Sequence, residues 1–453
     1  MGQGHQPGVA FRRCAAGHHA HRDVRGREGL PRHPKAPADF HRGGAPGTRH
    51  GMRLPGGVPG PGKVRACRID GERRVPSGQC TRDGPGAVRV GVPGHVPRRA
   101  LYRRGRSALR RWAVSDRIDA LPRLAGGLLG AGIAAGTVSQ FLRHRRVMHG
   151  HGDEPTLETG AGNLLSYRFS EPERPVAPDA PVLVFETALL STAEHWAWLE
   201  TALATDHPVL SYNRAGYGPS EYRKSAPFTL GSAVADLVDL VRGVCGARPV
   251  VLTGHSLGGY LALRALRPLR EAAAGAVLID PSHPAELLRS HRQAEGARRL
   301  GPTLSLMPTS MRLGLGALLS PPQWLGRLPT DLQRLALAQY RDWKLWQAGA
   351  REWEATYGEF LHHDGILPEI GVPLRLVAAT RTHERDPTQA ELHQEIVAAA
   401  PHGDQFLIDD TDHDALLLDR RPACRIAELI SDFVTGLSTK DLSTTDPSTK
   451  ARH

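Results

Sequence analysis

The stretch Pro249-Val250-Val251-Leu252-Thr253-Gly254-His255-Ser256-Leu257-Gly258-Gly259-Tyr260-Leu261-Ala262-Leu263-Arg264-Ala265-Leu266 decides the fold. Its first five residues are apolar and largely β-branched, the composition of a buried strand. Its last seven favour a helix that must end before Pro268. Between them stands Gly-x-Ser-x-Gly, which sets a serine on a strand-to-helix turn too tight for side chains at its neighbours. Glycine is therefore needed at 254 and 258. The turn exposes the Ser256 hydroxyl and aims the Leu257 amide at the same point. The pattern alone means little in a chain with 50 glycines. The strand before it and the helix after it give it meaning.

Working outward, Pro181-Val182-Leu183-Val184-Phe185 reads as a second apolar strand, followed by Glu186-Thr187-Ala188-Leu189-Leu190-Ser191. A helix then begins Thr192-Ala193-Glu194-His195-Trp196, and Ser191 with Glu194 has the spacing of a capping box. Val209-Leu210-Ser211-Tyr212 is another strand, ending in Asn213-Arg214-Ala215-Gly216-Tyr217-Gly218-Pro219-Ser220. Leu230, Val234, Leu237, Leu240, Val241 and Val244 recur at helical spacing. Three short apolar runs at 276–279, 372–379 and 405–408 complete the set. Strands alternating with helices predict an α/β fold: a mostly parallel central sheet with helices on both faces.

From about residue 160 to 435 these blocks, in this order, resemble the α/β-hydrolase superfamily. The resemblance implies a serine nucleophile at Ser256 and an oxyanion hole built from the backbone amides of Leu189 and Leu257. Ala188 departs from the glycine usual in that loop. Asn213 replaces the usual aspartate in a block that serves the family as a loop anchor. A serine at the elbow disfavours the haloalkane dehalogenase and epoxide hydrolase chemistry of related scaffolds, which needs an aspartate there.

The expected base is His413, in Asp409-Asp410-Thr411-Asp412-His413-Asp414 after the last strand and before a terminal helix. A neutral imidazole takes a serine proton near neutral pH and returns it to the leaving group. His255, inside the elbow, reads as a packing residue that shapes the turn. One carboxylate must orient the imidazole, and three are placed for it. Asp280 ends the strand after the nucleophile, where positioning is rigid, and is the preferred reading. Asp386 and Glu384, in the polar loop after the next strand, are the alternatives. The four aspartates around His413 read as a solvated loop. Neither His-Glu-x-x-His nor Cys-x-x-Cys spacing occurs, so no metal and no cofactor is expected.

Residues of about 284–368 interrupt the strand rhythm with helical signals and with Met307, Met311, Trp324, Trp343, Trp346, Trp353 and Tyr357. An insertion there is expected to form a lid over the strand ends, where α/β proteins bind ligands. Its composition favours a small apolar or mixed acyl substrate.

The N-terminal third is a different material. The whole chain carries a formal +12. Residues 1–150 hold 29 Lys+Arg and 8 Asp+Glu, so the remainder is mildly acidic. Residues 1–113, rich in Arg, Gly and Pro, are expected to be disordered, because they cannot bury enough surface to offset chain entropy. Few aromatics accompany the arginines, which argues against nucleic acid as a partner. Within 114–150, the uncharged stretch 124–142 would be about 28 Å long as a helix, enough to reach across a bilayer. Its five glycines weaken that reading, and the arginines after it would hold the hydrolase on the cytoplasmic side. The expected catalytic unit is 151–435, independent of everything before about 155, with a mobile tail from 436 to 453.

Three readings of different kinds follow. The leading one is a cytoplasmic serine hydrolase cleaving an ester, thioester or related acyl bond through an acyl-enzyme. Carbon–carbon bond hydrolysis and perhydrolysis are variants of it on the same scaffold. The second is a hydrolase-fold protein that binds a small molecule with little turnover. The third makes the basic arm an adaptor to nucleic acid or membrane. The sequence carries no sign of oligomeric state.

Overall fold

A computed structural model describes residues 126–127, 130–223 and 227–443. The expected disordered arm, 1–113, lies outside the described residues. Eight strands form one sheet: β1 (Thr156–Glu158), β2 (Leu164–Ser170), β3 (Val182–Glu186), β4 (Val209–Tyr212), β5 (Val250–His255), β6 (Ala273–Ile279), β7 (Leu374–Ala379) and β8 (Gly403–Ile408). Their spatial order is β1-β2-β4-β3-β5-β6-β7-β8. β1 and β2 run antiparallel to their neighbours, and every pair from β4 to β8 is parallel.

Strand alternation explains how one sheet serves two cores. Val182 and Val184 in β3, Leu252 in β5 and Leu278 in β6 point to one face. Leu183, Phe185, Val251, Val277 and Ile279 point to the other. The first face is covered by α3 (Leu230–Cys245) and α4 (Leu257–Leu266), the second by α2 (Ala197–Leu203) and the terminal helix α9 (Arg420–Ser443). Each such fully buried side chain stabilises the fold by about 1.5–3 kcal/mol. This is the expected α/β architecture.

Two boundaries differ from the sequence reading. The first helical turn after β3, a 3₁₀ segment at Ala193–Trp196, is capped at Thr192, not Ser191. Glu194 is drawn inward to His151 (3.1 Å), so the Ser191/Glu194 box does not form. The terminal helix α9 continues to Ser443 instead of ending at 435, because Leu437 packs beside Phe433 against Gly275 of β6. Residues 444–453 lie outside the described residues.

The insertion between β6 and β7 is helical: α5 (Glu286–Arg289), α6 (His291–Arg312), α7 (Gln333–Tyr340) and α8 (Trp343–Leu361). Met311, Trp346 and Leu304 form its own small core with Tyr217. Its aromatics therefore serve packing at least in part.

Residues 130–149 form a helix, α1, that docks on this insertion. Gly136 meets Gly314 backbone to backbone; a Cβ on Gly314 would lie 2.4 Å from the Gly136 carbonyl carbon. Gln140 Nε2 donates to Asp342 Oδ2 (2.8 Å), and His144 Nδ1 lies 3.3 Å from Asp342 Oδ1. Val147 is fully buried. The expectation that nothing before residue 155 touches the folded unit is thus corrected: small and polar residues at helical spacing make one face of α1 an interface. A protein beginning at Gly152 leaves Asp342, whose side chain is wholly buried, short of two partners, at about 1–3 kcal/mol for each group left unsatisfied. Its melting temperature should fall by about 5 °C or more relative to the full chain. A shift of under two degrees in side-by-side melts would show the contacts to be inert. Among the described residues no helix is long and apolar enough to cross a membrane; part of the 124–142 stretch lies outside them.

Candidate active site

Ser256 stands between β5 and α4 with φ 55° and ψ −123°, a conformation that L residues rarely adopt. The surrounding structure holds it there. Its amide donates to the Ile279 carbonyl (3.1 Å), and its carbonyl accepts from Gly259 (2.9 Å) and Ser282 (3.0 Å). A Cβ on Gly254 would sit 2.4 Å from the Gly258 oxygen, and one on Gly258 would sit 2.2 Å from the Glu186 oxygen. The second distance also shows that the elbow lies against the start of the loop carrying Leu189. Leu190 in that loop and Asp280 also have positive φ, so three of the four such non-glycine residues among the described residues belong to this one region. Strained backbone of this kind persists only where the surrounding structure over-determines it, and it clusters where folds position reactive groups.

Of the three candidate carboxylates, the fold brings Asp280 to His413, with Oδ2 2.7 Å from Nδ1. Asp386 is turned elsewhere and accepts from Ser290 Oγ of the insertion (2.5 Å). Glu384 is exposed. Thr382, a residue sequence reasoning did not single out, donates to the same Asp280 oxygen (2.6 Å), and the Ala379 amide approaches the other (3.4 Å). Burial of Asp280 alone would favour its neutral form. The hydrogen bond and charge of His413, with Thr382, override this and hold the carboxyl well below its usual range.

His413 has two fifths of its side-chain surface open to solvent. Loss of water opposes its charged form, yet the hydrogen bond and charge of Asp280 lift it above the ordinary imidazole value, helped by Asp414 and Glu286. Glu286, on α5, has its own carboxyl pushed up to about 7 by burial. His255 does more than shape the turn. Its ring lies against that of His413, centroids 4.5 Å apart, and its Nε2 is 3.2 Å from the His413 carbonyl. Burial, then the neighbouring His413, keeps His255 neutral, and because a carbonyl can only accept, the ring proton lies on Nε2. Ser256 is thus the chain neighbour of a residue that holds the His413 loop.

The loop from 187 to 190 is clamped from below by Arg214. This guanidinium donates to Glu186 Oε1 (2.6 Å), Thr187 O (2.5 Å), Thr187 Oγ1 (2.8 Å), Ala188 O (2.9 Å) and both oxygens of Glu352 on α8 (2.7 and 2.9 Å). Tyr217 OH donates to Glu352 (2.7 Å) and accepts from the Leu190 amide (3.3 Å); Tyr212 OH donates to Glu186. Breaking such a buried pair by removing one partner costs about 3–5 kcal/mol. Asn213 accepts from the Ala193 amide (3.0 Å) and Ser220 Oγ donates to the Asn213 carbonyl (2.6 Å), so the 213–220 block is a loop anchor. Arg214 could be read from the sequence as a charge within that block, but its partner on α8 could not.

The sheet order, the strand-to-helix serine and the helical insertion define an α/β hydrolase. The sequence signature of the alpha/beta hydrolase family matches residues 183–429, and the chain belongs to that family. Over 102 residues it is 34% identical to a Pseudomonas savastanoi pv. phaseolicola protein bearing the name carbamate hydrolase RutD, covering 22% of this chain and 39% of that one. Over 178 residues it is 29% identical to Lipase LipV of Mycobacterium tuberculosis, covering 38% and 64%. The match therefore spans less than two thirds of either relative. A thermophilic esterase from Thermogutta terrifontis superposes with a TM-score of 0.46 at 16% identity, covering 63% of this chain and 99% of that one.

Proposed function

We propose that the protein is a serine hydrolase that cleaves an ester, thioester or related acyl bond of a small apolar or mixed substrate through a covalent acyl-enzyme. The observation that carries this reading is the 2.7 Å pair of His413 and Asp280 beside the strained turn that presents Ser256. His413 takes the Ser256 proton as the hydroxyl oxygen attacks the acyl carbon. The resulting oxyanion is received by the amides of Leu189 and Leu257. His413 then returns the proton to the leaving alcohol or thiol, and water repeats the cycle on the acyl-enzyme. Asp280 fixes the imidazole tautomer and stabilises its charged form. A fluorophosphonate that labels Ser256, together with turnover of p-nitrophenyl esters of rising chain length, is the direct test. An intact, folded protein that neither labels nor turns over any of these esters would favour a binding function for the same site.

Two expectations follow from this reading. Leu189→Ala keeps the main-chain donor and should be mild, whereas Leu189→Pro removes it and should slow acylation about a hundredfold or more. Near-normal single-turnover acylation in a folded Leu189→Pro protein would move the oxyanion site elsewhere. The base works only when neutral, and Asp280 stabilises its protonated form. The rising limb of kcat/KM should therefore have its midpoint above the ordinary imidazole value of about 6.5. A limb at or below that value would show that Asp280 does not act on the base.

A further inference from the structure

We propose that α1 and the turn at 313–318 form a lipid-facing platform, by which the protein lies on an anionic membrane surface with α1 in the plane of the interface. This rests on an observation separate from the catalytic reading. Seven of the thirteen large apolar side chains left exposed among the described residues lie on these two segments. The close approach of Gly136 to Gly314 brings the segments side by side. Gly136, Gln140, Arg143 and Val147 turn one face of α1 toward the insertion, so Val138, Phe141 and Leu142 fall on the opposite face, each about 60% exposed. Leu313, Leu315 and Leu318 are exposed beside it, the last at 79%.

The occupant is indicated by charge. Residues 130–149 contain no aspartate or glutamate, and Arg145 and Arg146 stand exposed one turn beyond the apolar side chains. A helix with an apolar outer face and arginines at its margin matches the chemistry of a lipid interface, where acyl chains take the one and anionic headgroups the other. A span is disfavoured by the docked face. Gln140 and Arg143, in the middle of α1, are tied to Asp342 and to the Arg341 carbonyl of the insertion. Crossing a bilayer would carry those groups into hydrocarbon. The same docking places the lipid surface against the insertion between β6 and β7, so a substrate partitioned into the membrane would meet the protein on the side that carries this insertion.

The test uses the full chain and co-sedimentation with phosphatidylcholine vesicles, with and without phosphatidylglycerol, at low and high salt. The parent should bind the anionic vesicles and retain measurable binding at high salt, where headgroup attraction is screened. The triple variant Val138→Asp/Phe141→Asp/Leu142→Asp should bind at least tenfold more weakly and keep its turnover of a soluble ester, which reports an intact fold. Arg145→Ala and Arg146→Ala should each weaken binding to anionic vesicles by roughly fivefold and leave binding to phosphatidylcholine unchanged. Equal binding by the triple variant and the parent would assign attachment to the basic upstream segment and overturn the proposal. So would a parent that binds neither vesicle, whether or not it self-associates through this face. Release by alkaline carbonate supports the in-plane arrangement, and retention until detergent is added would overturn it in favour of a span.

Discussion

Ser256→Ala should lower kcat on any ester substrate by on the order of 10⁶, the loss measured when the nucleophile of a serine protease triad is removed. Deleting one exposed-side hydroxyl oxygen leaves the elbow's packing untouched, because the close contacts there are made by Gly254 and Gly258 with backbone atoms. The positive φ of residue 256 is equally strained for alanine and serine, so stability should change by no more than a few tenths of a kcal/mol. Activity and melting temperature therefore separate cleanly in this variant. A purified, folded Ser256→Ala protein that kept a tenth of the parent activity would end the assignment of Ser256 as nucleophile.

Asp280→Asn comes next in size, at about 10⁴ in kcat. The replacement is isosteric, yet both oxygens of Asp280 act as acceptors: one faces His413 and Thr382, the other the Ala379 amide. An amide NH₂ in either place meets a donor. With its nitrogen toward His413, the asparagine would force the imidazole proton onto Nε2, where it blocks proton transfer from Ser256. The pH limb should also fall, since the charge that raises His413 is gone. The same substitution at Asp386 touches only its bond with Ser290, for which asparagine keeps an acceptor oxygen, and should leave kcat within a few-fold of the parent. Reversal of that order would transfer the orienting role to Asp386.

The strands were legible because each carries its own alternation: Val182 and Val184 against Leu183 and Phe185 suffice to assign two buried faces. The elbow was legible because its glycines are demanded by backbone contacts only four residues apart. Asp280 could be favoured over Asp386 because a strand end is a fixed point; the expected polar loop after β7 is instead helical at Thr380–Arg385 and Pro387–Ala399, with Asp386 buried at the junction. What lay beyond reach were pairings between distant segments. Gln140 and Asp342 are 202 residues apart, and Arg214 and Glu352 are 138 apart. Neither bond has a local signature, and a buried Arg214 looks like any loop arginine until its partners are assembled. Thr382 escaped notice for the same reason. Its neighbours Glu384 and Asp386 drew attention as carboxylates, while the hydroxyl that supports Asp280 carries no charge to announce it. The helix start at Thr192 was misplaced by one residue because Glu194, a good capping residue in isolation, has a stronger call on it from His151 and Arg168.

The Arg214 cluster divides the insertion into parts of unequal freedom. Glu352 ties α8 to the guanidinium by two bonds and to Tyr217 by a third, and all three side chains are buried. Swinging α8 away would strand a buried cation together with the loop it organises, so α8 behaves as a fixed wall. α6 packs on α8 through Leu304 and Met311 but has no buried ion pair of this kind: of its 22 residues, only Ala297, Leu304 and Met311 are buried. α6 is thus held chiefly at its two ends, by the Ser290–Asp386 bond and by the turn in which Gly314 meets Gly136. Amide hydrogen exchange should find the two helices of one insertion belonging to different cooperative units, fast in α6 and slow in α8.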